Sequence, residues 1–167
     1  MFQFHPISYA DKRRFYRELQ TELEGLLEKT WFTNLANASA LLMAHLPDLN
    51  WAGFYMVNGS ELVLGPFQGL PACLRIAISE GKGVCGTASA RKQTMLVDDV
   101  HLFPGHIACD ARSRSELVIP MVNSERLLGV LDLDAPIVKR FDEVDQRALE
   151  QIVQVLVEGT IWPESFL

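Results

Sequence analysis

The hydrophobic period of this chain changes twice, and those changes constrain its fold more than any single motif does. Across residues 8–29, Phe15, Leu19, Leu23, Leu26 and Leu27 recur at three-and-four spacing, which draws one apolar stripe along a helix. A second helical stretch, Trp31 to Leu46, carries Leu35, Ala38, Leu41 and Leu42 and stops at Pro47. The period then shortens to two. Trp51–Val57 and Glu61–Leu64 flank Asn58-Gly59-Ser60, whose Asn-Gly step suits the positive φ angles of a hairpin turn. Short strands are predicted at Cys73–Ile78 and Met95–Val97, with a brief helix over Val84–Arg91 between them. Residues 98–114 have no period and read as a long surface loop, a feature that in compact domains usually carries function. Glu116–Val122 and Arg126–Asp134 are the last two strands. Asp142 then caps a terminal helix with Val144, Ala148, Ile152 and Val155 as its buried stripe. Helices, hairpin-linked strands and a closing helix predict an α+β fold, a sheet covered by helices. With no repeat or linker, one domain is expected over 1–167. Its N-terminal helices span about 8–46, its sheet and site loops about 50–134, and its C-terminal helix about 142–160.

Composition agrees with a packed domain. Of 167 residues, 49% are hydrophobic and 22% charged, enough to build a core. The net charge of −6 argues against a general nucleic-acid or anionic-membrane surface. No apolar window approaches the roughly 18 residues of a membrane span. The N-terminus, with Asp11, Lys12, Arg13 and Arg14, lacks the apolar stretch of a signal peptide. A soluble, cytoplasmic protein is expected.

Three cysteines, Cys73, Cys85 and Cys109, lie 12 and 24 positions apart. An odd count argues against a structural disulfide framework, and leaves metal binding, redox chemistry or inert burial open. Gly81-Lys82-Gly83-Val84-Cys85-Gly86 spells a dinucleotide fingerprint, but the βαβ context that fingerprint needs is missing. The same turn sets Cys85 at a helix N-terminus, where free amides and the helix dipole favour a thiolate; a small buried side chain is the competing reading. Cys109 sits in the polar run Phe103-Pro104-Gly105-His106-Ile107-Ala108-Cys109-Asp110. Loop placement favours reactivity there, with His106 or Arg112 available to lower its pKa and Asp110 opposing them. His101, His106, Cys73, Cys85 and Cys109 have metal-ligand chemistry but no close cysteine pair, so no metal is expected.

The acids form a tighter pattern. In Gly129-Val130-Leu131-Asp132-Leu133-Asp134, period two puts Asp132 and Asp134 on one face and the leucines on the other. Glu116 opens the preceding strand. If the two strands pair, three acids without a basic partner meet, and mutual repulsion raises at least one proton affinity toward neutrality. A strand end meeting solvent is the alternative.

Taken together these residues resemble one family. The shared motifs are Asn50-Trp51-Ala52-Gly53-Phe54-Tyr55, Leu64-Gly65-Pro66-Phe67-Gln68-Gly69, Pro71-Ala72-Cys73, Gly83-Val84-Cys85-Gly86, Asp98-Asp99-Val100, Phe103 to Asp110, Ser113-x-Ser115-Glu116 and Gly129 to Asp134. They run in order from about Trp31 to Phe141 and resemble the free methionine-(R)-sulfoxide reductases, small enzymes of GAF fold. The resemblance implies a six-stranded antiparallel sheet covered by helices and a small pocket closed by loops. It implies reduction of the R epimer of free methionine sulfoxide without a cofactor. By position, Cys109 is then the nucleophile, Cys73 the resolving cysteine and Cys85 an auxiliary thiol. Glu116, Asp132 and Asp134 match the acids around the sulfoxide and amino groups, and Trp51 and Tyr55 the methyl side. The step from Cys73 to Cys85 is longer here than the family pattern, which leaves Cys85 as the alternative resolver. Thioredoxin is the expected reductant; the family often forms dimers, and the long N-terminal helix here offers an interface for a homodimer. The alternatives are a GAF-type small-ligand sensor and a thiol-based redox sensor, neither of which turns over substrate.

Overall fold

The computed structural model describes residues 3–107 and 110–166. Its elements, in chain order, are α1 (Lys12–Leu26), α2 (Trp31–His45), β1 (Trp51–Asn58), β2 (Glu61–Gly69), β3 (Arg75–Ala77), α3 (Gly83–Arg91), β4 (Met95–Val97), β5 (Ser115–Asn123), β6 (Arg126–Ala135) and α4 (Glu143–Glu158), with a short 3₁₀ turn at Val100–Leu102. The six strands form one antiparallel sheet in the order β3-β2-β1-β6-β5-β4, so the fold is α+β. β1 lies at its centre, and Trp51 to Met56 are buried on both faces.

Two cores sandwich this sheet. On one face Phe54, Leu117, Ile119, Leu131 and Leu133 meet Phe15, Leu19 and Leu23 of α1, Leu35 and Leu42 of α2, and Leu149 and Ile152 of α4. On the other, Trp51, Tyr55, Val118 and Val130 meet Ile76, Val84, Cys85, Ala88 and Val100, contributed by β3, α3 and the following turn. Helices cover the first face fully. The second is closed by one short helix and by loops, and there the chemistry gathers.

Four sequence expectations need correction. The first helix begins at Lys12, capped by the Asp11 side chain on the Arg13 and Arg14 amides, and ends by Leu27, whose backbone is extended. β2 continues past Leu64 to Gly69 through Pro66; β3 pairs only with Glu61–Val63, so Pro66 lies where β2 is an outer edge and its missing N–H breaks no ladder. β3 is short, which leaves Cys73 in the loop before it rather than in a strand. The buried stripe of α4 is Asp145, Leu149, Ile152, Val153, Leu156 and Val157, while Val144 is 38% exposed. Asp145 turns the helix: its carboxylate accepts from the hydroxyls of Tyr9 (2.6 Å) and Tyr16 (2.7 Å) and from Lys12 (2.7 Å), and Arg140 lies 3.5 Å away.

Candidate active site

Strand register assembles the site. Asp134 lies between Glu116 of β5 and Trp51 of β1, while Asp132 lies between Val118 and Gly53. Alternation along each strand therefore gives Glu116, Asp132 and Asp134 the face of the second core, beside Trp51 and Tyr55. Glu116 and Asp132 are buried and Asp134 is half-buried. Gly53 is required at its place: a Cβ there would lie 2.3 Å from Phe67 Cβ and 2.7 Å from the Trp51 ring. That space is taken by an aromatic stack in which Trp51 lies on Phe67 at 5.3 Å and on Tyr55 at 5.8 Å.

Over the acids lies a cavity of about 30 Å³, lined by Ile76, Gly83, Val84, Cys85, His106, Ile107, Asp110, Ser113, Glu116, Asp132 and Asp134. Its wall is the N-terminus of α3, and its cover is the loop through Gly105, His106 and Ile107. The Gly83 N–H donates to the Gly105 carbonyl at 2.9 Å. Gly105 has φ +75°, and a Cβ on it would lie 2.2 Å from the Gly81 carbonyl oxygen, so the loop seats only with glycine at position 105.

The electrostatics are unbalanced. Burial, then the neighbouring Asp132 and Asp134, pushes the Glu116 carboxyl well above the usual carboxylate range. Burial raises Asp132 to about 7, although hydrogen bonds with Cys85 and Glu116 pull the other way. Asp134 is pushed well up by burial and by Asp132. Among the described residues, no lysine or arginine lines the cavity. Its one imidazole, His106, is pushed down by burial and by His101, and so is neutral near pH 7. One Asp132 oxygen, Oδ1, and His106 Nδ1 are buried without a hydrogen-bond partner. Buried polar groups are normally satisfied, so these mark places for a ligand's donors and acceptors. Such a site holds protons in reserve and offers them to an acceptor, and it attracts a cation.

The thiols differ from the sequence reading. Cys85 stands at the third position of α3, but burial, then Asp132 and Glu116, raises its thiol far above the ordinary value. Desolvation and like charge overcome the helix dipole, so Cys85 is a free, protonated thiol; its Sγ–H points at Glu116 Oε1 across 3.9 Å. Cys73 is half-buried against the second core and is disulfide-bonded. Cys109 lies outside the described residues. Arg112 is not available to it as a spare cation: its guanidinium grips Asp110 at 2.7 to 3.1 Å and holds that carboxyl well below the usual range. The ligand atoms of Cys85, Glu116 and Asp132 lie within 4.8 Å of one another; of the metal candidates read from sequence, Cys85 alone belongs to that group among the described residues. Trp51 and Tyr55 lie behind the cavity rather than on its surface, with burial and Asp132 raising the Tyr55 phenol.

Sequence reasoning gave no role to Asn50, Phe67 or Ser113. Asn50 Nδ2 donates to Asp110 Oδ2 and to Ser113 Oγ, both at 3.0 Å, tying the start of β1 to the loop before β5. Their signal was position within the shared motifs, which does not by itself say what a residue touches.

Comparison with known proteins agrees with this geometry. The GAF domain family matches residues 32–157. A free methionine-R-sulfoxide reductase of Escherichia coli is 49% identical over 148 residues, covering 87% of this chain and 88% of the relative. The chain belongs to the free methionine-(R)-sulfoxide reductase family. A member from Saccharomyces cerevisiae is 41% identical over 165 residues, covering 93% of this chain and 91% of its own. The X-ray structure of the reductase of this family from Neisseria meningitidis, in complex with its substrate, superimposes with a TM-score of 0.88 at 41% identity, with 95% of both chains covered. Among the described residues no helix is long and apolar enough to cross a membrane.

Proposed function

We propose that this protein reduces the R sulfoxide of free methionine, with Cys109 as nucleophile and Glu116 as proton donor. The observation that carries the reading is the cluster of buried, proton-holding acids with no cation of its own. A sulfoxide oxygen must be protonated before its sulfur accepts a thiolate, and Glu116 is held protonated near neutrality to do it. Attack by the Cys109 thiolate releases methionine as the oxygen passes to Cys109, forming a sulfenic acid. Asp132 and Asp134 bind the ammonium of the free amino acid; the peptide-bound residue has none, and is excluded. The Trp51–Tyr55–Phe67 stack behind the cavity forms the apolar backing on the methyl side of the substrate. The cavity holds about two waters, so substrate enters when the loop over Gly83 lifts.

The sulfenic acid condenses with Cys73, releasing water, and a reduced dithiol such as thioredoxin resets the disulfide. The state of the thiols supports Cys73 over Cys85 as resolver: Cys73 is disulfide-bonded, whereas Cys85 is free, buried and protonated. Such a cycle suits the reducing cytoplasm, where we place the protein. We also propose one GAF-like domain over 1–167, since Phe15 and Leu19 of α1 share a core with Leu149 and Ile152 of α4. The same reading carries a homodimer, which light scattering checks.

The test is to incubate the protein with thioredoxin, its reductase and NADPH against free and peptide-bound methionine sulfoxide of each epimer. Methionine should form from the free R epimer alone. Binding without consumption would instead establish a sensor.

A further inference from the structure

Recycling needs a surface on which a reductant settles, and the loop from β2 to β3 supplies one. The chain leaves β2 at Gly69, φ +134°, where a Cβ would lie 2.6 Å from the Trp51 ring and 2.8 Å from the Asn50 carbonyl oxygen. Hydrogen bonds to two of its carbonyls then pin the loop at both ends. Trp51 Nε1–H donates to the Leu70 carbonyl at 3.2 Å, and the Leu64 N–H donates to the Leu74 carbonyl at 3.1 Å. With their carbonyls turned to the fold, the two leucines present their side chains to water, Leu70 52% and Leu74 74% exposed, with Pro71 exposed between them. From Gln68 to Leu74 there is no charged residue, and the next one, Arg75, is engaged by Glu61 at 3.1 Å. Single exposed leucines are ordinary. Two on a pinned loop, bracketing a disulfide-bonded cysteine, form a contact surface at a reactive bond.

We propose that Leu70, Pro71 and Leu74 form the docking surface for a dithiol protein that reduces the disulfide of Cys73. This rests on the recycling scheme above. A thiolate of the partner attacks Cys73 Sγ, forming the mixed disulfide, and the electron pair of the broken bond leaves on Cys109, which takes up a proton. The second thiolate of the partner then attacks its own sulfur in the mixed disulfide and releases Cys73, which takes the other proton. The partner is oxidised by two electrons and the enzyme disulfide reduced by two. Attacking, central and leaving sulfurs must align, so the partner has to rest on the surface beside Cys73, where these leucines are. A small, uncharged, apolar contact suits a reductant that binds briefly and departs.

The test compares protein-driven with small-thiol-driven turnover in the full-length protein. Leu70→Ser, Leu74→Asp and their combination are assayed with thioredoxin and its reductase as the probe, and in parallel with dithiothreitol. The combined variant is expected to lose about tenfold in kcat/KM for thioredoxin, with dithiothreitol-driven turnover kept within about twofold; Leu74→Met restores the protein-driven rate. The proposal is overturned by an unchanged thioredoxin rate, by equal losses with both reductants, or by a fall accompanied by dissociation of a homodimer, which would assign the surface to a second copy of this chain. Wild-type protein that makes no methionine even with dithiothreitol would strike the proposed reaction itself and not the docking surface.

Discussion

A single buried aspartate and a cluster of three acids lie on opposite faces of the sheet, and they are treated in opposite ways. Asp145, fully buried on the helix-covered face, receives two tyrosine hydroxyls and Lys12, has Arg140 within 3.5 Å, and closes a capping box with Asp142. Glu116, Asp132 and Asp134, on the loop-covered face, have no cation among the described residues, and one Asp132 oxygen has no hydrogen-bond partner among them. A matched buried charge holds structure together; an unmatched set costs stability and keeps its chemistry for a ligand. The fold contains both, so the contrast can be broken from either side.

The largest effect is expected from Glu116→Gln, which keeps shape and hydrogen bonding but has no proton to give. Methionine formation should fall about 10²- to 10⁴-fold, with Tm near neutral pH kept or raised, because burial holds the Glu116 carboxyl well above its ordinary value. On the other face, Asp145→Ala should cost about 3–5 kcal/mol, because it leaves Lys12 and Arg140 without their common partner. Denaturant unfolding measures it, and the folded fraction should retain its specific activity.

Asp132→Asn sharpens the contrast, because it should stabilise the protein it inactivates. The native pKa of about 7 lies above the unfolded value of about 4. Between those values the native protein holds a proton that the unfolded chain has lost, so stability falls as pH rises. The variant removes this titration. Its advantage should be small at pH 4 and widen up to pH 7, to about 3–4 kcal/mol, roughly ten degrees in Tm. The smallest effect belongs to Lys12→Met: its side chain is partly exposed and Arg140 still faces Asp145, so a loss of about 1 kcal/mol or less is expected.

How much of this was legible depended on whether a feature is periodic. The helix-to-strand change of period gave the α+β order, and alternation alone put Asp132 and Asp134 on one face. Three things were hidden because they depend on contacts distant in sequence. The face of α4 is set by the partners of Asp145, and neither Val144 nor Val155 belongs to its buried stripe. The state of Cys85 is decided by burial against Asp132 and Glu116, which a helix N-terminus in the sequence does not reveal. Phe67 becomes part of the site only through its register with Gly53, which leaves the space the indole fills.

The most direct test of the central claim is single-turnover chemistry without a recycling reductant. Reduced protein mixed with free L-methionine (R)-sulfoxide should release one methionine per subunit. Cys109→Ser should release none, Cys73→Ser one, and Glu116→Gln one at a greatly reduced rate. Release at the wild-type rate from Cys109→Ser, or an unchanged rate from Glu116→Gln, would contradict the account of a thiolate served by an acid held protonated in the sheet.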